Sequence, residues 1–261
     1  MTTFGLSTTL FGHTRPGAAE FELIATHGFK HVELSAGTGR FDVRDPRQVA
    51  DVRALAFAAG VQVASVAVAL DDASLALHGT ADLGCPILIA HAGGCAAHGP
   101  AGRQAPADAG ALRRTIEHVA DHAAEKKVAL VVEFPASLGA EAVVELIEAL
   151  DGAPVGVCLD VGHANLAGDA PETIEILSGY ISTTHLHDNN GRADSHRAPF
   201  AGSVDWPAVL MALWKTGFTG PNVIEIVPDP DVTTAITRAV GARTRLQAIL
   251  DDLAQPMAFP E

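Results

Sequence analysis

The chain has 261 residues, of which 48% are hydrophobic, and a formal net charge of −14 at pH 7. This charge argues against a nucleic-acid-binding protein, because such proteins carry basic faces that displace counterions from phosphates. The three cysteines form no Cys-x-x-Cys pair and the longest apolar stretch is too short to span a bilayer, so we expect a cytoplasmic protein without disulfides or membrane contact.

Short β-like runs alternate with segments of helical periodicity along the whole chain. The predicted strands are Phe4–Phe11, His31–Ser35, Val61–Leu70, Pro86–Ala90, Val128–Phe134, Val155–Asp160, Ile181–His187 and Asn222–Val227. Repeated strand-helix units predict a parallel sheet, and the common closed form at this length is the (β/α)8 TIM barrel. We therefore predict a single α/β barrel domain over residues 1–261, with an open doubly wound sheet as the structural alternative.

Glycines and prolines predict where the helices end and begin. Gly28 and Gly60 stand where helices should end, and Pro171 stands where one should begin. The third helix, Asp71–Leu83, is the weakest unit, because it contains Gly79 and offers few apolar residues at helical spacing. We predict a shortened or distorted third helix.

Several of the apolar runs place an acid or a histidine late in a predicted strand: Glu133, Asp160, His185 and Glu225. In a parallel barrel the reacting groups gather at the carboxyl ends of the strands, so all of these side chains are expected to point at one place. Three carboxylates about 4 Å apart would repel by about 4 kcal/mol per pair at an effective dielectric of about 20. The nearest lysines, Lys126 and Lys127, precede a strand at its amino end, far from the acids, which favours a divalent cation over the alternative that the acids cap neighbouring helices.

The predicted ligands are three carboxylates and one imidazole. This set suits Mn²⁺, Mg²⁺ or Co²⁺, with Zn²⁺ as a further choice, and the missing thiolates argue against a structural zinc site. We predict one divalent metal ion, with Mn²⁺ favoured.

Three more histidines are candidates for the same cavity. His163 follows Asp160 by three residues, which suits contact with a substrate or proton transfer, against the alternative of a structural histidine. His91 ends a strand just before Gly93–Ala107, a stretch that we predict to be a loop over the barrel mouth, so it either binds substrate or packs the loop. The side chain of His187 should point to the same face of the strand as the predicted metal-binding histidine. His187 is therefore expected to hold that residue in place or to bind substrate.

Two further sites have open interpretations. Asp194 and His196 could ligate a second metal, hydrogen-bond the metal-binding histidine or form a solvated turn. Glu33, in the second strand, could face the cavity and contact substrate, or it could pair with Arg40 or Arg44.

Four segments in this order resemble the xylose isomerase-like TIM-barrel superfamily of sugar phosphate isomerases and epimerases, which is related to the apurinic-site endonucleases of family 2. The segments are Val-Glu-Phe at 132–134, Asp-Val-Gly-His at 160–163, the stretch from His-Leu-His-Asp-Asn to Gly-Ser-Val-Asp-Trp at 185–206, and Val-Ile-Glu-Ile at 223–226. Singly these motifs are weak, but their order along nearly the whole chain is specific.

The resemblance implies a role for each matching residue. Glu133, Asp160, His185 and Glu225 would hold the metal, and His163 would bind substrate oxygens. In the ketose epimerases of this superfamily the two metal-bound glutamates remove and return a proton through a metal-stabilised enediolate, which assigns that role to Glu133 and Glu225. The arginine that follows the metal histidine in those enzymes is matched loosely by Arg192 or Arg197, and Arg192 is our candidate for substrate binding.

The expected activity is thus that of a metal-dependent sugar isomerase or epimerase in carbohydrate metabolism, acting on a small polyhydroxy carbonyl compound. We expect this compound to carry no phosphate group. A lyase or dehydratase on the same scaffold is the alternative, and a non-catalytic binding protein is a third. An apurinic-site endonuclease is disfavoured, because the third strand has no histidine to complete a trinuclear centre and the acidic surface opposes DNA. A homodimer is the expected assembly, since it is the commonest one among soluble proteins.

Overall fold

The computed structural model describes residues 3–12, 14–37, 40–93, 109–150 and 152–255. Its strands are Phe4–Ser7 (β1), His31–Ser35 (β2), Gln62–Ala69 (β3), Ile87–His91 (β4), Ala129–Glu133 (β5), Val155–Asp160 (β6), Ile181–Leu186 (β7) and Asn222–Ile224 (β8). All neighbouring strands pair in parallel and in chain order, and β8 pairs with β1 to close the barrel. The predicted (β/α)8 barrel is confirmed.

Helices lie between the strands and cover the outside of the barrel. They are Ala18–Thr26 (α1), Pro46–Ala59 (α2), Leu70–Asp82 (α3), Ala109–Lys126 (α4), Ala140–Glu148 (α5), Val161–Ala167 (α6), Ala170–Ile176 (α7), Trp206–Lys215 (α8) and Val232–Leu253 (α9). Two of them, α6 and α7, share the connection between β6 and β7. No helix in the described part of the chain has both the length and the apolar character needed to cross a membrane.

The expectation of a shortened or distorted third helix was wrong. Helix α3 runs for 13 residues and buries Ala73, Ala76 and Leu77. Its Gly79 packs so closely on the segment after β2 that an added Cβ would lie 1.8 Å from the carbonyl oxygen of Val43. The prediction counted large apolar side chains only, whereas this helix packs through small ones that let the two backbones approach.

Two strands, β1 and β8, end three or more residues earlier than predicted. The first strand stops at Ser7 and continues as a 3₁₀ turn, Thr8–Phe11, whose first turn is capped by the Ser7 hydroxyl. The last strand stops at Ile224, so Glu225 lies one residue beyond it, although its backbone N–H still donates to Leu186 O at 3.2 Å. Both differences fall at the carboxyl ends, where the chain leaves the sheet to form the mouth of the barrel.

The helices begin and end close to the glycines and prolines that predicted their ends. Gly60 ends α2 in the left-handed conformation with φ of 67°, and Gly28 follows the end of α1 with φ of 79°. Pro171 lies in the first turn of α7, whose N-cap Asp169 accepts a hydrogen bond from the backbone of Glu172. The loop predicted at Gly93–Ala107 lies, after Gly93, outside the described residues.

Candidate metal centre and active site

The barrel brings the predicted metal ligands together. Glu133 ends β5, Asp160 ends β6, His185 lies one residue before the end of β7, and Glu225 follows β8. All of them are buried, and each offers one ligand atom within 4.8 Å of the ligand atoms of the others. Strand alternation explains the convergence, because each side chain points into the barrel at its carboxyl end.

His185 is held from both sides of its ring. Its Nδ1 lies 2.5 Å from Glu133 Oε2 and 3.2 Å from Glu225 Oε2. On the opposite side, Nε2 donates to Glu33 Oε2 at 3.0 Å, and that oxygen also accepts from the Ser65 hydroxyl at 2.8 Å. The ring is therefore fixed with Nδ1 toward the two glutamates and Nε2 toward a fully buried third acid.

Glu33 pairs with neither of the arginines considered for it. Arg40 donates to the Ser35 hydroxyl, and Arg44 forms an ion pair with Asp42 at 2.8 Å. The carboxylate of Glu33 faces the cavity instead, below His185, with no exposed surface. Its predicted contact with substrate stays a prediction.

Asp160 is oriented by the start of the helix that follows it. As the N-cap of α6 it accepts from the backbone N–H of His163 at 2.8 Å, and its Oδ1 lies 2.8 Å from His187 Nε2. The His187 ring lies against Gly162, where an added Cβ would come within 1.9 Å of ring carbon Cε1. The glycine in Asp-Val-Gly-His thus makes room for the histidine that supports Asp160.

Asp194 and His196 border this site. Asp194 Oδ2 lies 3.4 Å from His163 Nε2 and 3.2 Å from His196 Nε2. The rings of His187 and His196 stack with their centroids 3.8 Å apart. Ligand atoms of His187, Asp194 and His196 also lie within 4.8 Å of one another, so a second metal at this position stays a prediction.

His91 and Arg192 differ in their relation to the site. His91 Nδ1 donates to Glu133 Oε1 at 2.9 Å, which places its ring inside the cavity. Arg192 is exposed, and its backbone N–H donates to Asn190 Oδ1 at 3.1 Å. Among the described residues, no hydrogen bond or ion pair joins the Arg192 side chain to the site, and its role in substrate binding remains a prediction.

The buried acids and histidines shift one another's pKa values. Burial alone would raise the pKa of Glu133, but the charges of His91 and His185 hold it well below its usual range. Burial would lower the pKa of His163, but Asp160 and the other nearby carboxylates raise it to about 10. The pKa of His185 likewise lies well above its usual value, because Cys158 and the surrounding carboxylates outweigh burial. Without a metal, these shifts favour the ionised form of Glu133 and the protonated forms of His163 and His185.

The comparisons with known proteins agree with this architecture. The family described as xylose isomerase-like TIM barrel matches residues 21–248 of the chain. The chain belongs to this family. A relative, the uncharacterized protein y4fM of Sinorhizobium fredii, is 33% identical over 125 residues, a match that spans 45% of this chain and 40% of the relative.

Solved structures of several proteins share this xylose isomerase-like barrel. A D-tagatose 3-epimerase-like protein superposes with a TM-score of 0.78 at 21% identity, covering 97% of this chain and 98% of that one. D-psicose 3-epimerase, solved in the presence of D-fructose, gives a TM-score of 0.78 at 16% identity over 95% and 99% of the two chains. The IolI protein with a bound zinc atom gives 0.76 at 16% identity over 94% and 98%. At these identities the likeness shows the fold.

Asp188, for which the sequence predicted no role, organises the loop after β7 of this xylose isomerase-like barrel. Asp188 is fully buried, and its carboxylate accepts from the Trp206 indole at 2.9 Å and from the backbone N–H groups of Asn189 and Val204. Asn189 in turn donates to Gly162 O at 2.8 Å, which ties the loops after β6 and β7 together. The sequence does contain a signal for this role: an acid directly follows two inward-facing histidines, and a tryptophan further along needs a hydrogen-bond acceptor for its indole N–H.

The donor atoms fit a divalent cation. Three carboxylates and one imidazole converge, and this set suits Mn²⁺, Mg²⁺, Co²⁺ or Zn²⁺. His163 Nδ1 and Glu33 Oε1 are buried without a hydrogen-bond partner among the described residues. Because buried polar atoms are nearly always satisfied in folded proteins, these atoms indicate that the cavity receives a ligand.

Proposed function

We propose that the protein is a divalent-metal-dependent sugar isomerase or epimerase acting on a small polyhydroxy carbonyl compound. The observation that carries the proposal is the convergence of Glu133, Asp160, His185 and Glu225 at the mouth of the barrel. The likeness in fold to a D-tagatose 3-epimerase-like protein and to D-psicose 3-epimerase supports the choice of reaction. The zinc atom bound by the IolI protein, which shares this fold, supports a divalent metal in the proposed reaction.

The four converging side chains would hold the cation. When bound, a divalent cation supplies positive charge that stabilises the negative charge developing next to a carbonyl as its α-proton leaves. Glu33 would keep the His185 ring turned so that Nδ1 faces the ion, because Nε2 donates to Glu33. His187 would do the same for Asp160.

Glu133 and Glu225 would move the proton. Both carboxylates approach His185 Nδ1, and both are more than nine-tenths buried in the cavity, where water competes little for them. One, as a carboxylate, would take the α-proton, and the other, as a carboxylic acid, would deliver its own proton, to the opposite face of the substrate for an epimerase. His91, which donates to Glu133 Oε1, would fix the orientation of that carboxylate. His163, on the same side, would donate to a substrate oxygen.

The test is deuterium exchange from D₂O into a panel of ketoses and aldoses by protein loaded in turn with Mn²⁺, Mg²⁺, Co²⁺ and Zn²⁺. We expect exchange at the carbon next to the carbonyl, and about a hundredfold loss or more in Glu133→Gln and Glu225→Gln. Glu117→Gln is the matched control, because Glu117 lies on the surface of α4 beside Arg113 and should leave exchange unchanged.

Two results would contradict the proposal. Exchange that survives in both glutamine variants would remove these residues from the proton transfer. A product lighter by one water molecule would instead assign the protein to the lyase alternative.

A further inference from the structure

Arg40 carries a buried nitrogen that nothing in the described structure satisfies. Its Nη1 donates to the Ser35 hydroxyl at 2.6 Å, whereas Nη2 is buried and has no hydrogen-bond partner among the described residues. Arg40 also forms no ion pair with any described carboxylate, whereas Arg44, nearby in sequence, pairs with Asp42 and Asp72. A guanidinium half-withdrawn from water without an anion is costly, since buried charges are normally paired.

The guanidinium lies at the mouth of the barrel on the side of β2. Ser35, its partner, is buried and pairs in register with Ala67, which packs inside the barrel against Cys158. Ser35 shares the inward face of β2 with Glu33 and lies two residues, about 7 Å, further toward the carboxyl end. Because Glu33 contacts His185, the Ser35 hydroxyl holds Arg40 on the β2 side of the cavity, nearer the mouth than the metal centre.

A second unsatisfied group lies at the same edge. Thr8 Oγ1 accepts from the Ser35 backbone N–H at 2.8 Å, and the hydroxyl of the next residue, Thr9, is buried without a partner among the described residues. The rim between β1 and β2 therefore presents a guanidinium nitrogen and a hydroxyl that each have no hydrogen-bond partner among the described residues. The positive charge of Arg40 makes this side of the mouth suited to an anionic group.

We propose that Arg40 binds a carboxylate of the substrate, so that the natural substrate is a keto sugar acid. A single guanidinium with one nitrogen already engaged by Ser35 matches the single charge of a carboxylate. A phosphate would bring a charge of about −1.5 to −2, more than the single positive charge of Arg40 at this edge, into a cavity already lined by Glu133, Asp160 and Glu225. This inference rests on the proposed function, since it places the carbonyl end of the substrate at the metal centre and the acid end at Arg40.

The test compares three sugars that differ only at carbon 6: D-fructuronate, D-fructose and D-fructose 6-phosphate. Their dissociation constants for the Mn²⁺-loaded protein are measured by isothermal titration calorimetry. We expect D-fructuronate to bind about tenfold or more tightly than either other sugar, and this preference to vanish in Arg40→Gln while D-fructose affinity and Mn²⁺ content stay the same. Arg44→Gln is the matched control from the same loop and should keep the preference.

Three results would overturn the inference. They are an acid preference that survives in Arg40→Gln, tightest binding of the phosphate, and no binding of any of the three sugars. Binding of D-fructose without preference for the acid would also overturn it, yet leave the proposed isomerase intact. Conversely, acid binding that depends on Arg40 without any deuterium exchange would support this inference and contradict the proposed function.

Discussion

Glu33 acts on the candidate metal centre without belonging to the ligand set. It lies beneath His185, fully buried, accepting hydrogen bonds from the ring Nε2 and from the Ser65 hydroxyl. A carboxylate in this position fixes the tautomer of a metal-binding histidine and increases its basicity. Sequence placed Glu33 in the cavity but could not identify its partner, because His185 is 152 residues away along the chain.

Replacing Glu33 by glutamine should weaken metal binding. The amide keeps the shape of the side chain but removes the charge that makes His185 a better ligand, so we expect a loss of about tenfold to a hundredfold in Mn²⁺ affinity. Competition with a fluorescent chelator measures this loss. Glu117→Gln, on the exposed face of α4, should bind Mn²⁺ as the unmodified protein does. Equal affinities in the two variants would show that Glu33 does not support His185.

Most strands and helices of the barrel could be predicted from the sequence. β-Branched apolar runs and glycine signals determine where β6 and α2 lie, and β6 has the predicted bounds, Val155–Asp160. The ends of β1 and β8 could not be predicted, because pairing with neighbours rather than local composition decides where a strand leaves the sheet. The prediction for helix α3 was wrong because its packing face consists of small residues. How much such residues stabilise a helix depends on how closely the neighbouring backbone packs against them.

Replacing Gly79, where α3 approaches the backbone of Val43, tests this packing of small residues. In Gly79→Ala, the added Cβ would collide with the backbone carbonyl of Val43, which cannot move aside cheaply, so we expect a loss of about 1–3 kcal/mol in the free energy of unfolding. Urea denaturation of the purified variants measures it. Gly241→Ala in α9 is the control, because its Cβ would meet nothing within 4 Å. It should be neutral or stabilising by up to about 1 kcal/mol, and equal losses in both variants would argue against close packing at Gly79.

Closure of the barrel creates the candidate metal centre. β8 joins β1 and thereby brings Glu225 beside His185, while Glu33 reaches the same ring from β2. Sequence alone predicted which residues converge, because the carboxyl ends of parallel strands share one edge. It could not predict which acid contacts which histidine, since those contacts depend on the stagger of strands far apart in sequence.

Titration of the metal-free protein with Mn²⁺ tests whether these side chains form a metal centre. Calorimetry in two buffers of different ionisation enthalpy should show one saturable site per chain that is lost in Asp160→Asn. It should also show proton release at pH 7 and an affinity that rises with pH, because the pKa of His185 lies well above its usual value and its ring must lose a proton to bind the ion. Absence of saturable binding, or binding that persists unchanged in Asp160→Asn, would contradict a metal centre formed by these side chains.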